Sequence, residues 1–275
     1  MIKSLKLEWL KVKYHPLIWI LFGMYLLALT ILCFGGTFFL EWLKYEGEDF
    51  HGLDPTLLPI YDFPDIWQNV TSLASLLRVF PAFIVIISVT NDITTQTLRQ
   101  NVIDGISKTQ YLTSKIALIV SLSVLSTAFI GLAVLINGKL YAHPASHQLM
   151  IEGATFLVAY AFDALVYCCL AFLLALLIKK PGFLIMALAL YTIWFEPIAA
   201  AILRNHPDLR DTAWVVLPDY FPVSALNGLI QLPFGRYLFH EITDFVPVKQ
   251  LIITTAWLLS YLSGIIFLLT RRDLK

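Results

Sequence analysis

Six stretches of this sequence, about residues 17–40, 66–90, 112–137, 151–178, 182–203 and 249–270, are apolar over the whole length of a membrane crossing. An α-helix needs roughly 20 such residues to traverse the hydrocarbon core. A backbone in lipid must satisfy its own N–H and C=O groups, so only helices and closed barrels can span. These runs are continuous and lack the alternation of barrel strands, which leaves helices. Composition agrees. Of 275 residues, 59% are hydrophobic and 14% charged, whereas soluble domains carry about 25% charged residues. The expected fold is an all-α integral membrane protein with six transmembrane helices, a single domain over residues 1–275 without an internal repeat.

The three cysteines, Cys33, Cys168 and Cys169, all fall within apolar runs and read as small membrane hydrophobes rather than a disulfide framework. The basic start is followed by an apolar run too long for a signal peptide and without a small-residue cleavage site.

Basic residues set the expected orientation. An even number of spans puts both termini on one side. The segments on that side hold twelve Lys and Arg against four acids, Glu8, Asp92, Asp104 and Asp273. The opposite segments hold six basic residues and thirteen acids. The positive-inside rule then places both termini in the cytoplasm, together with a polar island at residues 91–115.

That island, reading TNDITTQTLRQNVIDGISKTQYLTSK from Thr90, is more ordered than a plain connector. Asp92 is suited to capping a helix. Leu98, Val102 and Ile106 recur every four residues and make one apolar stripe on a polar helix. Gly105 is a natural helix stop. Ser107 and Gln110 form an S-x-x-Q capping box opening the next helix. A short amphipathic helix between two spans suits docking onto a partner at the membrane surface.

The N-terminus, about residues 1–15, places Ile2, Leu5, Trp9 and Val12 on one helical face with Lys6 and Lys13 beside it, before Pro16 breaks the pattern. It reads either as an interfacial amphipathic helix on the cytoplasmic leaflet or as an irregular basic flank. On the outer side, residues 204–248 contain short apolar runs, Trp214 to Leu217 and SALNGLIQLP from Ser224, too short to span and too apolar for water. Re-entrant or interfacial outer helices before the sixth span fit both constraints. The loop 41–65, with Pro55, Pro59 and Pro64, reads as an ordered cap or a linker.

Missing motifs narrow the function. There is no G-x-x-x-x-G-K-[ST] phosphate loop, and His240-Glu241 lacks the second histidine of a zinc protease helix. No G-x-S-x-G or C-x-x-C is present. Six scattered histidines argue against a metal site. The basic residues flank spans, so topology explains them better than nucleic-acid binding.

Three charges fall inside expected spans: Arg78, Asp163 and Glu196. Each costs about 2.5–3.5 kcal/mol at mid-membrane on insertion scales, so a partner or a watery cavity is required. Arg78 and Asp163 each lie twelve positions from the assumed outer ends of their spans, about 18 Å deep. Equal depth suggests a buried ion pair between spans two and four; the alternative makes Asp163 a proton or cation site. Glu196, before Pro197, either faces a translocation path or reaches the headgroups.

Taken in order, these features resemble an ABC-2 type permease, the membrane subunit of certain ATP-binding cassette exporters of the type V, ABCG-like arrangement. The nearest likeness is Thr97-Leu98-Arg99-Gln100-Asn101, then Ile103-Asp104-Gly105-Ile106-Ser107-Lys108, then Lys115. It resembles a family segment T-x-R-x-x-x-x-x-G-x-S-R/K that closes on a lysine at the third span. Leu217-Pro218 and Pro222-Val223-Ser224-Ala225-Leu226 resemble the stretch opening the family's outer helices. The chain departs from the pattern early in the island, where Asn91-Asp92 and Gln96-Thr97 stand in place of an acidic residue followed by Gly-Thr.

The resemblance implies that the island carries a coupling helix fitting a cleft in a separate ATPase subunit. Leu98, Val102, Ile103 and Ile106 would dock, with Asp104, Gly105 and Ser107 shaping the turn. Arg99 and Lys108 would be polar contacts, and Lys179-Lys180-Pro181-Gly182 a smaller one. It further implies two ATPase copies and a second permease copy or related permease in the bilayer, with no nucleic acid. ATP and Mg would sit in the partner, and this chain would bind no cofactor and be no enzyme. The setting would be a cell membrane, most simply a bacterial cytoplasmic membrane. Two other readings remain: an ion-coupled secondary transporter using Asp163 and Glu196, and an intramembrane enzyme, for which no catalytic constellation is visible.

Overall fold

A computed structural model of the chain describes residues 2–45, 61–97, 100, 103–141, 150–206, 212–231 and 245–271. Ten α-helices are found among them: α1 (Ile2–Lys13), α2 (Pro16–Tyr45), α3 (Asp65–Ser75), α4 (Val79–Thr94), α5 (Lys108–Tyr141), α6 (Thr155–Leu177), α7 (Pro181–Leu190), α8 (Glu196–Asn205), α9 (Pro222–Leu229) and α10 (Val248–Arg271). The described residues contain no strand.

Six helical stretches are long and apolar enough to cross a membrane: Pro16–Gly36, Asp65–Thr94, Lys108–Leu140, Thr155–Leu177, Pro181–Asn205 and Val248–Arg271. Each overlaps one of the runs expected from sequence, with the ends moved by a few residues. Helix α2 continues to Tyr45, so the segment from Glu41 begins as helix rather than loop. The rest of that segment, through residue 60 with Pro55 and Pro59, lies outside the described residues.

Two spans are interrupted where proline dictates. Pro81 has no N–H for the Leu77 carbonyl, and the chain tightens into a 3₁₀ turn at Leu76–Arg78 between α3 and α4. Pro197 has none for Ile193, and the chain widens into a π turn at Tyr191–Phe195 between α7 and α8. Prolines also stand in the first turn of α7 and α9, where the missing donor leaves nothing unpaired.

Helix α6 lies at the centre, packed against α3, α4, α5 and α10. Its 23 residues contain no glycine or proline, and Tyr160, Tyr167, Phe172 and Ala175 are fully buried. The outer helices bury one side only. Trp19, Ile20, Leu27 and Ile31 of α2, and Leu251, Ile252, Leu259 and Ile266 of α10, are exposed. Such faces would be costly in water but are at home against lipid tails. The bundle is that of a multi-pass membrane protein.

One end of the bundle, here the island face, carries the 91–115 segment. Lys108 Nζ donates to the Thr270 carbonyl there (3.2 Å), tying α5 to the end of α10. At the opposite face, Trp67 Nε1 donates to the Met150 carbonyl (2.9 Å) and Gln68 Nε2 to the Gln231 carbonyl (3.2 Å). Gly153 turns the chain into α6 at this face with φ +87°. A Cβ there would lie 3.0 Å from the Pro64 carbonyl oxygen. Gly153→Ala is therefore expected to lower stability by about 2 kcal/mol, since an L residue is strained in the left-handed region. Gly182→Ala, with open space around it, is expected to be neutral; thermal unfolding of both variants in detergent checks the difference.

Candidate functional site

The intramembrane charges meet around α9. Arg78, at the end of the 3₁₀ turn, is 4% exposed and Asp163, on α6, is fully buried. Arg78 Nη1 donates to Asp163 Oδ1 at 2.6 Å. Its Nη2 donates to Asn227 Oδ1 of α9 at 2.5 Å, and its guanidinium lies 5.3 Å from the Tyr167 ring centroid. One arginine thus joins the turn of span two, the central helix and α9. Such a bidentate, aromatic-flanked setting suits a planar guanidinium better than an ammonium.

Glu196 neither lies open to a path nor reaches outward. It is buried, and its Oε1 accepts the Ser224 backbone N–H at 2.6 Å in the first turn of α9. A carboxylate at a helix N-terminus satisfies an orphan donor and faces the positive end of the helix dipole. The residues expected to form outer helices are a 3₁₀ segment, Ala213–Tyr220, followed by α9. Val223, Ala225, Leu226 and Leu229 of α9 are buried. Arg204 Nη2 and Lys249 Nζ each approach the Asp219 carboxylate at 2.9 Å, fastening the 3₁₀ segment to α8 and α10. Partial burial would raise the Asp219 pKa, but hydrogen bonds and charge from Lys249 and Arg204 outweigh it and hold the carboxyl below its ordinary value.

A second buried cluster lies at the base of the island. Lys115, two turns into α5, is 1% exposed. Its Nζ donates to Glu8 Oε1 (2.5 Å) and Ser88 Oγ (2.6 Å), and pairs with Asp92 Oδ2 (2.7 Å). Ser88 Oγ donates in turn to Glu8 Oε1 (3.0 Å), and Lys11 Nζ to Asp92 Oδ1 (2.8 Å). Tyr111 places its ring centroid 5.5 Å from Lys115 Nζ. Two cations and two carboxylates thus neutralise one another across α1, α4 and α5. Asn91 Nδ2 and His15 Nε2, 2.7 Å apart, add a link beside them.

This cluster overturns one expectation. Asp92 caps no helix: it sits in the last turn of α4, buried, because two lysines neutralise it there. The N-terminal segment is helical, the first of its two readings, and it buries Glu8 in the cluster. Trp9 is largely exposed and Val12 half-buried. The side chain of Leu5 lies outside those described.

Within the island, Leu98, Arg99, Asn101 and Val102 lie outside the described residues. Around them, Gln100 N–H donates to the Gln96 carbonyl (3.1 Å) and Asp104 N–H to the Gln100 carbonyl (2.9 Å), which are helical bonds. Gln96 (φ +54°) and Gly105 (φ +88°), before and after these bonds, are in left-handed conformations. Both bonds of the S-x-x-Q box are present: Gln110 N–H to Ser107 Oγ (3.2 Å) and Ser107 N–H to Gln110 Oε1 (3.1 Å). Ile103 is 74% exposed, Ile106 is half-buried, and Asp104 is exposed. Lys108 opens α5.

Sequence reasoning paired Arg78 with Asp163 by depth but missed Asn227, Tyr167 and the whole Lys115 cluster. The available signals were a lone Glu8 among lysines and a Lys115 set beyond the capping box, inside the helix. Among the described residues no group of three His, Cys, Asp or Glu converges as metal ligands would. Comparison with protein-family models and with curated proteins gave no match.

Removing one partner of a buried pair leaves an uncompensated charge. Asp163→Ala is expected to destabilise the protein by about 3–5 kcal/mol, and Arg78→Met with Asp163→Leu to recover most of that loss. Lys115→Met is expected to cost several times more than Lys11→Met, because Lys11 remains partly in water. Thermal unfolding in detergent reads both contrasts. An Asp163→Ala protein as stable as the parent would show that this pair does not hold the spans.

Proposed function

We propose that this chain is the permease subunit of an ATP-binding cassette exporter of the ABC-2 type. The chain lines the translocation path, and a separate ATPase subunit drives it through the 91–115 segment. In this reading the island face is cytoplasmic and α9 with the preceding 3₁₀ segment forms the outer closure. A second copy or a related permease completes the path. The chain itself performs no catalysis, and ATP and Mg are held by the partner.

The observation that carries the proposal is the construction of the island. Gln100 and Asp104 make helical hydrogen bonds between the left-handed Gln96 and Gly105, Ile103 is exposed, and a buried charge cluster shared by α1, α4 and α5 joins the ends of the flanking helices. An exposed isoleucine on a short helix with a rigid base is suited to being pushed by another protein. ATP shifts a conformational equilibrium only if it binds one state better than the other. Since the sequence has no phosphate loop, that difference in affinity belongs to the partner.

One observation favours a second reading, the ion-coupled carrier. Asp163 Oδ2 and Glu196 Oε2 are buried without a hydrogen-bond donor among the described residues. Against it, the other oxygen of each carboxylate holds structure, Asp163 through Arg78 and Glu196 through α9.

Purification of the tagged chain in mild detergent distinguishes the two. The exporter reading expects a co-purifying protein with a phosphate-loop motif and ATP hydrolysis in the complex. Ile103→Asp and Ile106→Asp are expected to weaken that association by about tenfold, roughly 1.4 kcal/mol, with normal membrane insertion. A complex unchanged by both substitutions removes the coupling role. Transport driven by a pH gradient with no ATPase bound would favour the carrier.

A further inference from the structure

We infer that the crevice between α1, α2 and α5 is a binding slot for one acyl chain of an anionic membrane phospholipid, whose headgroup is held by Lys6 and Lys13. The slot has a volume of about 210 Å³. Its lining on α5 runs from Ser114 to Leu125, eleven helical steps or about 16 Å along the helix. A narrow apolar groove of that length, lying along a membrane span, has the shape of an extended hydrocarbon chain.

The walls support this occupant. Trp9 of α1 and Trp19 of α2 line the slot, and both are exposed. Tryptophan prefers the level where headgroups meet acyl chains. Lys6, Trp9 and Lys13 follow one another at spacings of three and four residues, so the two lysines stand on either side of the Trp9 ring on one face of α1. Both lysines are exposed. Glu8 also borders the slot, but its carboxylate is occupied by Lys115 and Ser88 and is neutralised there. Lys6 and Lys13 thus place positive charge on the helix that borders an apolar shaft, the charge pattern an anionic phospholipid complements. This inference needs only the membrane setting and stands apart from the exporter reading.

The test uses the full chain reconstituted in phosphatidylcholine vesicles with a trace of phosphatidylglycerol bearing a photoactivatable acyl chain. Labelled peptides are mapped by mass. Labelling is expected on residues 114–125 and around Trp9 and Trp19. Excess unlabelled phosphatidylglycerol is expected to cut that labelling about fivefold, and the same excess of phosphatidylcholine to leave it unchanged. Ser121→Trp, which fills the shaft, is expected to lower slot labelling about fivefold, whereas Leu132→Trp, exposed on α5 outside the slot, leaves it intact. Lys6→Gln with Lys13→Gln is expected to abolish the preference for phosphatidylglycerol while acyl labelling persists.

Labels spread evenly over lipid-facing helices such as α10, equal competition by phosphatidylcholine, or undiminished labelling of Ser121→Trp would each overturn the inference. Crosslinking of the slot to a second copy of the chain would do the same. Should Ser121→Trp fail to fold, competition on the unmodified protein decides alone.

Discussion

A charge buried in hydrocarbon is tolerated only when its counterpart is buried with it, and this requirement decides which helix faces of the bundle meet. Between helices in lipid the hydrophobic effect is silent, because lipid tails are as apolar as leucine. Polar contacts then supply the register. The central helix α6 illustrates this with Tyr160, Asp163 and Tyr167 spaced on one face. Tyr160 shares a hydrogen bond with Tyr25 of α2 (2.7 Å), Asp163 takes Arg78, and Tyr167 reaches Thr192 in the π turn (2.7 Å). Each contact fixes one neighbour. Sliding α6 by one turn would strand all three groups in a medium where an unmade hydrogen bond is expensive.

The two proline breaks belong to the same logic. Arg78 ends the 3₁₀ turn that precedes Pro81, and Glu196 follows the π turn and precedes Pro197. In an uninterrupted helix the direction of a side chain is fixed by the regular turn. A tightened or widened turn re-aims it, and here both re-aimed charges point at α9. Arg78 holds Asn227 and Glu196 holds the Ser224 N–H, one turn apart on that helix. A short helix that cannot span is thereby secured by the two charges that spans would otherwise exclude.

Much of this was open to a reader of the sequence, and the limits are physical. Six spans were legible because 20-residue apolar runs have few alternatives in water or lipid. Arg78 and Asp163 could be matched because depth along a helix is nearly one-dimensional. Ser107, Gln110 and Gly105 were legible because capping is local chemistry within four residues. The Lys115 cluster was not, since Glu8, Ser88, Asp92 and Lys115 come from three helices, and near a span end a charge reads equally well as a topological signal. Asp92 was misread as a cap for a related reason. An acid just beyond an apolar run looks like a boundary until two lysines from elsewhere let α4 run past it. Asn227 carried only the faint signal of one of two amides, with Gln231, within the apolar stretch SALNGLIQL.

Helix α4 links the two clusters, and its mechanical position bears on the exporter reading. Arg78 stands immediately before it and Asp92 lies in its last turn. The fourteen steps from Arg78 to Asp92 correspond to about 21 Å of helix. In the exporter reading, a displacement of the island would press first on Asp92 and Ser88, which share Lys115 with α1. Carried along α4, such a motion would arrive at Arg78, whose two hydrogen bonds hold Asp163 and Asn227. Transmission between sites needs an element with two discrete arrangements, not mere adjacency. The Arg78–Asn227 bond provides a natural place for such a choice. Arg78 remains neutralised by Asp163 if Asn227 leaves, so α9 can separate without exposing an unpaired charge. The ion pair is thus the fixed part of the joint and the amide the part able to release.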